Sequence, residues 1–314
     1  MRVCHKFEEG IMVIRKKKIR LCALVVTLCL ILAPSIAQDF SKIKVQTVKL
    51  SERVYLLYCA GGCIGVSAGE DGVMVIDTSY TEMYEKLKEA IEKISDKPVR
   101  YVVSTHQHFD HVNGNELFAQ AGTTIVAHEN VRKGMTVDWV HPGFPTVEAY
   151  PEMALPVMTF NESLTFHFNG DIIRIYHPGN GHTDGDSIVH FQKANVVHMG
   201  DLFFNGGYPF IDVPHGGTVE GIIAILDYVL NTINGETKVI PGHGPLSNRA
   251  ELKQYRDMLV TIKDRVRNLI KEGKTVEEVI ASKPTSDFDK IPQTMMPPDA
   301  FVRILFQDLS RKSH

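Results

Sequence analysis

The chain has 314 residues, a formal net charge of −3 at pH 7 and 44% hydrophobic residues. This is an ordinary composition for a soluble globular protein, with enough apolar material for one large core or two small ones. The near-neutral charge balance offers no basic surface to a nucleic acid, so we expect no nucleic-acid partner.

Residues 1–37 have the features of a secretory signal peptide. Residues 15–20 (RKKKIR) are positively charged, residues 21–33 are apolar, and PSIAQ then provides small residues before a cleavage site. The apolar run is shorter than the roughly 20 residues that a membrane span needs. We therefore predict cleavage after Ala37 and a periplasmic or secreted protein with no stable membrane anchor. An uncleaved anchor is the alternative.

Two cysteines, Cys59 and Cys63, remain in the predicted mature chain, in the sequence YCAGGCIG. They can face each other across a tight hairpin and form a disulfide outside the cytoplasm. They can equally be two small buried thiols, as free cysteines usually are. The sequence leaves both interpretations open.

The first half of the predicted mature chain alternates strands and helices. Residues 45–77 show short β-rich runs separated by Gly-rich or charged turns, which predicts a meander. Residues 80–95 have apolar side chains at helical spacing, and the apolar run VRYVVST (99–105) predicts a buried strand. A short helix, a strand and another helix are expected over 115–135.

The strand predicted over 99–105 ends at a cluster of titratable side chains, THQHFDH. In an extended segment, His106 and His108 share a face, so both imidazoles can reach one point. Asp110 and His111 follow where the chain turns toward a helix, and they can converge on a second point nearby. Imidazole and carboxylate are good zinc ligands, but four ligands cannot complete two tetrahedral sites, so distant partners are required.

Residues 137–156 break the regular pattern. They contain four prolines, several aromatic residues and the single tryptophan of the chain, with no convincing period. A long loop in a compact domain is usually functional or disordered, and this one is too aromatic for a linker. We expect it to contribute to a functional surface.

The second half supplies the distant partners. Strands are predicted before His182, before Asp201 and before His243, and glycine lies close to each of these residues. Polar residues at strand ends with nearby glycine are expected where backbones converge around a ligand. Asp77 also ends a strand, but we expect its carboxylate to orient the metal-binding loop rather than bind metal. A predicted helix, 218–233, and the long amphipathic helix that follows His243 complete two α/β halves, packed sheet to sheet.

These residues, in this order, resemble the metallo-β-lactamase-fold metallo-hydrolase superfamily. An Asp after an early strand (Asp77), the motif H-x-H-x-D-H (106–111), and a later His, Asp and His all occur in the family's order. The resemblance implies an α/β fold, a four-layer αββα sandwich of two mixed β-sheets packed face to face with helices outside. It implies a single metallo-hydrolase domain over 38–314, with its core at about 45–250 and a C-terminal helical extension at about 251–314.

The resemblance also implies a ligand set for two zinc ions per chain, with iron or manganese as alternatives. One zinc would be held by His106, His108 and His182. The second would be held by Asp110, His111 and His243, with Asp201 bridging both ions. A hydroxide shared by the two metals would attack a carbonyl group, and Asp110 would orient this nucleophile and pass its proton on.

The expected substrate is a small molecule with an ester, lactone, thioester or lactam carbonyl. Zinc β-lactamases of the best-known type carry Cys where this chain has Asp201, which lowers but does not exclude lactam cleavage. A true β-lactamase, a phosphodiesterase and, from another class, a non-catalytic metal-binding protein are the alternatives. The sequence indicates no oligomeric state.

Several further residues have a role that the sequence leaves open. His141, His177 and His215 lie on loops that can face the metals, although we do not predict them as ligands. Aromatic residues of the loop and of the segment after Asp201 either wall a substrate pocket or cover the core: Trp139, Phe144, Tyr150, Phe203, Phe204, Tyr208 and Phe210.

Overall fold

The computed structural model describes residues 39–141, 145–290 and 296–311. In this part of the chain, seven strands form a first sheet in the order in which they occur: β1 (Gln46–Lys49), β2 (Val54–Cys59), β3 (Gly62–Gly69), β4 (Gly72–Ile76), β5 (Val99–Ser104), β6 (Thr124–His128) and β7 (Met158–Phe160). Strands β1 to β4 are antiparallel, and β4 to β7 are parallel. The predicted signal peptide lies outside the described residues.

The second sheet contains six strands in the order β13-β12-β11-β10-β9-β8. Their bounds are β8 (Ser163–Phe168), β9 (Asp171–Tyr176), β10 (Ile188–Phe191), β11 (Val196–His198), β12 (Lys238–Ile240) and β13 (Ser247–Asn248). Neighbouring strands are antiparallel except β11 and β12, which are parallel. Both sheets are therefore mixed.

The described residues form eight α-helices: α1 (Tyr84–Glu92), α2 (Phe109–Val112), α3 (Asn115–Gln120), α4 (Glu129–Met135), α5 (Val219–Thr232), α6 (Arg249–Lys271), α7 (Val276–Ala281) and α8 (Pro298–Arg311). None of the helices in the described ranges is long and apolar enough to cross a membrane.

Strand β4 shows why the apolar runs of the sequence are continuous rather than alternating. Met74 and Ile76 pack between the two sheets, whereas Val73 and Val75 pack in a cluster with Leu87 of α1 on the outer face. Successive side chains of a strand point to opposite faces, so a sheet that is covered on both faces needs apolar residues at every position. The four-layer sandwich predicted from the sequence is confirmed.

The second sheet is covered in the same way on its outer face. Val197 of β11 and Val239 of β12 pack in one cluster with residues of α5, α6 and α8, while Val196 and Ile240 face the first sheet. The long helix α6 begins at a regular cap, because the Asn248 side chain accepts hydrogen bonds from the first free backbone N–H groups. The helices after residue 250 therefore complete the outer layer.

The register of β2 and β3 separates the two cysteines. Cys63 is paired with Tyr58, whereas Cys59 is paired with Gly62, so the two thiols project from opposite faces of the first sheet. Cys63 packs between the sheets and Cys59 packs on the helix side, and both are free thiols. A disulfide across this hairpin is thus excluded by the pleat.

The structure adds most to the sequence prediction in the long loop and at two short strands. The described residues of 137–156 contain no α-helix or strand, only a short 3-10 turn at Glu152–Ala154, as expected, but Trp139 and Val147 pair across the loop as an isolated bridge. Strands β7 and β13 have three and two residues and were not predicted, because such short runs carry no periodic signal.

Candidate metal centre

One edge of the sandwich collects the polar residues that the sequence places after strands. His106 and His108 follow β5, and α2 begins at Phe109, so the chain turns between His108 and Asp110. Asp201 lies in a short turn after β11, and His243 follows β12. His182 reaches the same place from the loop after β9. The seven predicted ligands lie in two groups of potential metal-binding atoms: His106, His108, His182 and Asp201 in one, and Asp110, His111 and His243 in the other.

We call His106, His108 and His182 the three-histidine group. Their ring centroids lie 4.6–4.7 Å apart and the ring planes are nearly perpendicular to one another. The side chains are 1%, 6% and 0% exposed. Asp201 Oδ2 lies 3.8 Å from His106 Nε2 and 3.6 Å from His182 Nε2. These donor atoms converge on one buried point.

The outward-facing ring nitrogens of this group fix its tautomers. His108 Nε2 lies 2.8 Å from the Asp212 carboxylate, and His182 Nδ1 lies 2.8 Å from the Phe210 carbonyl oxygen. Both oxygens can only accept, so these nitrogens carry the protons and the lone pairs of His108 Nδ1 and His182 Nε2 face each other at 2.8 Å. A cation between them would bind both lone pairs.

His106 completes the donor set. Its Nδ1 lies 3.0 Å from the Thr105 hydroxyl, which donates to Asp77, so Nδ1 donates to that hydroxyl and Nε2 keeps a lone pair. His106 Nε2 is buried without a hydrogen-bond partner among the described residues. Buried polar atoms are rarely left without a partner unless they serve a site. The residues present therefore fit a divalent metal ion.

We call Asp110, His111 and His243 the Asp110 group. Asp110 Oδ2 lies 3.6 Å from His111 Nε2 and 3.4 Å from His243 Nε2, and the two imidazole nitrogens are 3.4 Å apart. Asp201 also borders this group, because its Oδ1 lies 3.1 Å from His111 Nε2 and its Oδ2 lies 3.3 Å from His243 Nε2. Asp201 thus stands between the two groups, as the bridging role predicted from the resemblance requires.

Gly242 makes this position of Asp201 possible. A Cβ atom at residue 242 would lie 2.0 Å from Asp201 Oδ1 and 2.7 Å from the carbonyl carbon of Gly200. No larger residue fits there without displacing the carboxylate or the backbone beside it. The sequence shows glycine before His243, and the structure gives the reason for it.

The two groups differ in charge. Burial lowers the pKa of His106 well below 6.5, and burial lowers the pKa of His182 to about 4, so both are neutral at pH 7. In the Asp110 group burial also opposes protonation, but Asp201 and Asp110 outweigh it and raise the pKa of His243 to about 9. Burial raises the pKa of Asp110, yet the neighbouring His111 and His243 hold it below its usual range.

Asp77 orients the loop that carries the ligands. Its carboxylate accepts hydrogen bonds from the Thr105 backbone N–H at 2.7 Å, from the Thr105 hydroxyl at 2.8 Å and from His111 Nδ1 at 2.8 Å. The bond to His111 leaves Nε2 of that ring to face the Asp110 group. This is the arrangement predicted for Asp77 from its place after a strand.

Asp212 plays the corresponding part for the three-histidine group, and the sequence reasoning missed it. It is fully buried and accepts from His108 Nε2 at 2.8 Å, Trp139 Nε1 at 2.8 Å and His215 Nδ1 at 2.7 Å. The sequence does contain a signal for Asp212, a carboxylate between the apolar residues Ile211 and Val213. Such a position suggests burial, and a buried charge needs hydrogen-bonding partners.

A cavity of about 120 Å³ opens beside both groups. Candidate ligand residues make up part of its lining, and the rest of the lining is apolar. The walls are formed by Phe109, Trp139, Phe204, Phe210 and Met296. Trp139, Phe204 and Phe210 thus wall a pocket, while Phe203 and Tyr208 are core residues. Phe109 was not predicted, whereas Met296 lies in residues 287–301, a stretch that on its sequence could reach a pocket or a partner.

The remaining residues whose role the sequence leaves open lie outside the two ligand groups. His177 stacks on His128 with ring centroids 4.0 Å apart, and His141 and His215 both stack on Trp139. The Tyr150 hydroxyl donates to Asn113 at 2.6 Å. Phe144 lies outside the described residues. His141, His177 and His215 are not members of either group of potential ligand atoms.

Comparison with known proteins agrees with this geometry. A family model described as the metallo-beta-lactamase superfamily matches residues 63–259. The chain is 24% identical over 189 residues to the metallo-beta-lactamase type 2 of Bacillus cereus, which covers 60% of this chain and 69% of that protein.

Solved structures share the fold. A metallo-beta-lactamase from Pontibacter korlensis superposes with a TM-score of 0.56 at 20% identity, over 69% of this chain and 99% of that one. The stereoselective inverting sec-alkylsulfatase from Pseudomonas gives a TM-score of 0.60 at 15% identity. That match covers 84% of this chain, which spans half of the sulfatase.

Proposed function

The chain belongs to the metallo-β-lactamase superfamily of metal-dependent hydrolases, and we propose that it is an exported dinuclear zinc hydrolase that cleaves a small carbonyl substrate. The observation that carries this proposal is the convergence of seven side chains, spread from residue 106 to residue 243, in two adjacent groups of potential ligand atoms. All seven have the nitrogen or oxygen donors that zinc binds.

In this proposal the three-histidine group would hold one zinc ion and the Asp110 group would hold the other, and Asp201 lies beside both groups. When bound, the ions supply Lewis acidity, which lowers the pKa of water toward neutrality and polarises a carbonyl group. Asp77 and Asp212 hold His111 and His108 in the tautomers that direct a lone pair inward.

Asp110 is the residue that we assign to the nucleophile. Its carboxylate lines the cavity and its pKa is held below the usual range, so it is ionised at neutral pH. An ionised carboxylate can accept a hydrogen bond from a water molecule in the cavity and fix its orientation. Because a carboxylate of low pKa is a weak base, orientation is its first role and proton transfer its second.

The cavity favours a neutral substrate with an apolar flank, such as an ester, lactone or thioester. Five of the nine lining residues are aromatic or Met side chains without charge, and the described lining contains no Lys or Arg. Residues 142–144 and 291–295, which the structure does not describe, contain no Lys or Arg in the sequence either. With His243 engaged as a metal ligand, a carboxylate-bearing substrate would find no Lys or Arg in the described lining to pair with.

β-Lactam hydrolysis is the second candidate. It is supported by the similarity to the Bacillus cereus metallo-beta-lactamase. It is disfavoured by the cavity, because a bicyclic β-lactam carries a carboxylate close to the amide that is cleaved.

The test is a substrate panel run on the metal-loaded enzyme with and without a chelator. We expect nitrophenyl esters or lactones to be hydrolysed faster than a chromogenic cephalosporin or a nitrophenyl phosphodiester, and the chelator to abolish turnover. Elemental analysis should find two zinc ions per chain. Absence of bound transition metal, together with unchanged hydrolysis by His106→Ala, would refute the proposal; cephalosporin turnover alone would establish the second candidate.

Export is a separate part of the proposal and rests on the sequence of residues 1–37. Expression of the full chain in a bacterium should yield a periplasmic or secreted protein whose N-terminus, by mass spectrometry, is Gln38. Recovery of the uncleaved chain from the membrane fraction would support the anchor instead.

A further inference from the structure

We propose that Trp139 is a positioning residue that couples the segment 136–150 to the three-histidine group through the Asp212 carboxylate. The inference rests on the proposed metal-binding role of that group and goes beyond it. It assigns a task to the long aromatic loop, which the ligand set leaves without one.

The contact geometry is specific. Asp212 Oδ2 accepts from His108 Nε2 and from Trp139 Nε1, each at 2.8 Å, so one oxygen atom serves both rings. The backbone N–H of Asp212 also donates to the His182 carbonyl oxygen at 2.9 Å. Asp212 therefore touches two members of the three-histidine group and the loop at once.

Trp139 is the anchor of its segment. Among the described residues of 136–150 it is the single buried side chain, and Val137 and Val140 beside it are 59% and 58% exposed. Its indole stacks on the rings of His141 and His215 and also walls the cavity. A displacement of this indole would therefore displace part of the cavity wall.

The physical link is the shared acceptor. A cation bound at His108 Nδ1 withdraws electron density from the ring and makes its Nε2–H a stronger donor to Asp212. The same carboxylate oxygen holds the indole N–H, so the environment of Trp139 changes with occupancy of the three-histidine group. The indole N–H also fixes the position of this oxygen, so its loss should leave the carboxylate less firmly oriented toward His108 and weaken metal binding there.

The chain contains one tryptophan, so its intrinsic fluorescence reports on this residue alone. Metal-free protein is titrated with zinc, and we expect a change in emission that saturates with the site formed by the three-histidine group. His243→Gln should retain this response because it leaves that group intact, whereas His106→Gln should lose it.

Zinc affinity gives a second readout, measured by competition with a chromophoric chelator. Asp212→Asn should lower the affinity of the three-histidine group about 10- to 100-fold. Trp139→Phe, which keeps a ring but removes the N–H donor, should lower it about 5- to 10-fold, the size expected for one lost hydrogen bond. Tyr150→Phe is the matched control, because it removes a hydrogen bond of the same segment that does not involve Asp212.

The outcomes separate this inference from the proposed function. Zinc binding with an unchanged Trp139 emission, or equal zinc affinity in Trp139→Phe and Tyr150→Phe when both are folded by circular dichroism, overturns the coupling alone. Failure of the parent protein to bind zinc overturns the proposed function and the coupling with it.

Discussion

The two ligand groups share Asp201 but differ in their contact with water and in their charge. The three-histidine group is almost completely buried, whereas the Asp110 and His243 side chains are 13% and 12% exposed. Burial keeps the pKa values of His106 and His182 below 6.5, while carboxylates raise that of His243 to about 9. A buried group in which His106 and His182 are neutral is suited to holding a metal, and a charged group beside the cavity is suited to handling water and protons.

The most damaging change we expect acts on both groups at once. In Gly242→Ala the new Cβ would meet Asp201 Oδ1 at 2.0 Å and the Gly200 backbone at 2.7 Å, so Asp201 must leave its place between the groups. We expect both metals to bind poorly and hydrolysis to fall to background, as measured by elemental analysis and by ester hydrolysis.

Gly235→Ala is the matched control, because its Cβ would have no neighbour within 4 Å. It should keep its metals and its activity. Full metal content in Gly242→Ala would show that Asp201 is not held where the structure places it.

Single ligand substitutions should separate the groups. His106→Gln removes the buried nitrogen that has no hydrogen-bond partner among the described residues, and His243→Gln removes one nitrogen of the Asp110 group. We expect each variant to retain about one metal ion per chain and to lose most of its activity, because neither group alone provides both a polarising ion and an oriented water molecule.

Metal content and apparent zinc affinity should be measured together for this pair. If the buried group is the tighter site, His243→Gln keeps a tightly bound ion and His106→Gln keeps a weakly bound one. The reverse order would contradict the contrast between the groups.

A smaller effect is expected from the carboxylate that supports the Asp110 group. Asp77→Asn removes the negative charge that accepts from His111 Nδ1, so the ring is held less firmly and is a weaker ligand. We expect about a 10- to 100-fold loss of zinc affinity in the Asp110 group with the three-histidine group less affected.

Asp171→Asn provides the control for loss of a structural carboxylate, since Asp171 accepts from backbone N–H groups of Lys193 and Ala194. Its zinc affinity should equal that of the parent. An equal loss in both variants would mean that Asp77 acts through general stability rather than through His111.

The positions of the candidate ligands were predictable from the sequence because these residues obey local rules. His106 and His108 follow a strand at a spacing of two, and Asp201 and His243 each follow a strand and lie next to glycine. Strand ends of one sheet edge lie close together, so these local positions also fix their approximate place in space. The layered fold followed from the same alternation of strands and helices.

The supporting residues were less predictable because their partners are distant in sequence. Asp212 is 104 positions from His108 and 73 positions from Trp139 in the sequence, and no periodic pattern predicts contacts over such separations. Met296 reaches the cavity from the C-terminal part of the chain, and the sequence indicated only that the stretch 287–301 could reach a pocket or a partner. The disulfide between Cys59 and Cys63 was undecided because it depends on a register shift of a single residue.

The smallest effect concerns a buried histidine outside both groups. His128 caps helix α4: its Nδ1 accepts from the Asn130 backbone N–H at 3.2 Å, and its Nε2 donates to the Asn161 carbonyl oxygen at 3.0 Å. Protonation of Nδ1 would abolish the cap. Burial, aided by the stacked His177, lowers the pKa of His128 from 6.5 to about 4.

The sign of the pH effect follows from that pKa. Above pH 6.5 both the folded and the unfolded chain hold a neutral His128. Below it the unfolded chain takes up a proton first, so the free energy of unfolding decreases down to about pH 4, by about 3 kcal/mol at most.

Asn is a good cap that does not titrate, so His128→Asn should differ little from the parent at pH 7 and be the more stable of the two at pH 5. Urea unfolding of both metal-free proteins at the two pH values measures this difference. An equal loss of stability at pH 5 in the parent and in His128→Asn would show that His128 does not contribute to the pH dependence. We also expect His128→Asn to keep the zinc content of the parent at pH 7, because this histidine stabilises the fold and does not belong to either ligand group.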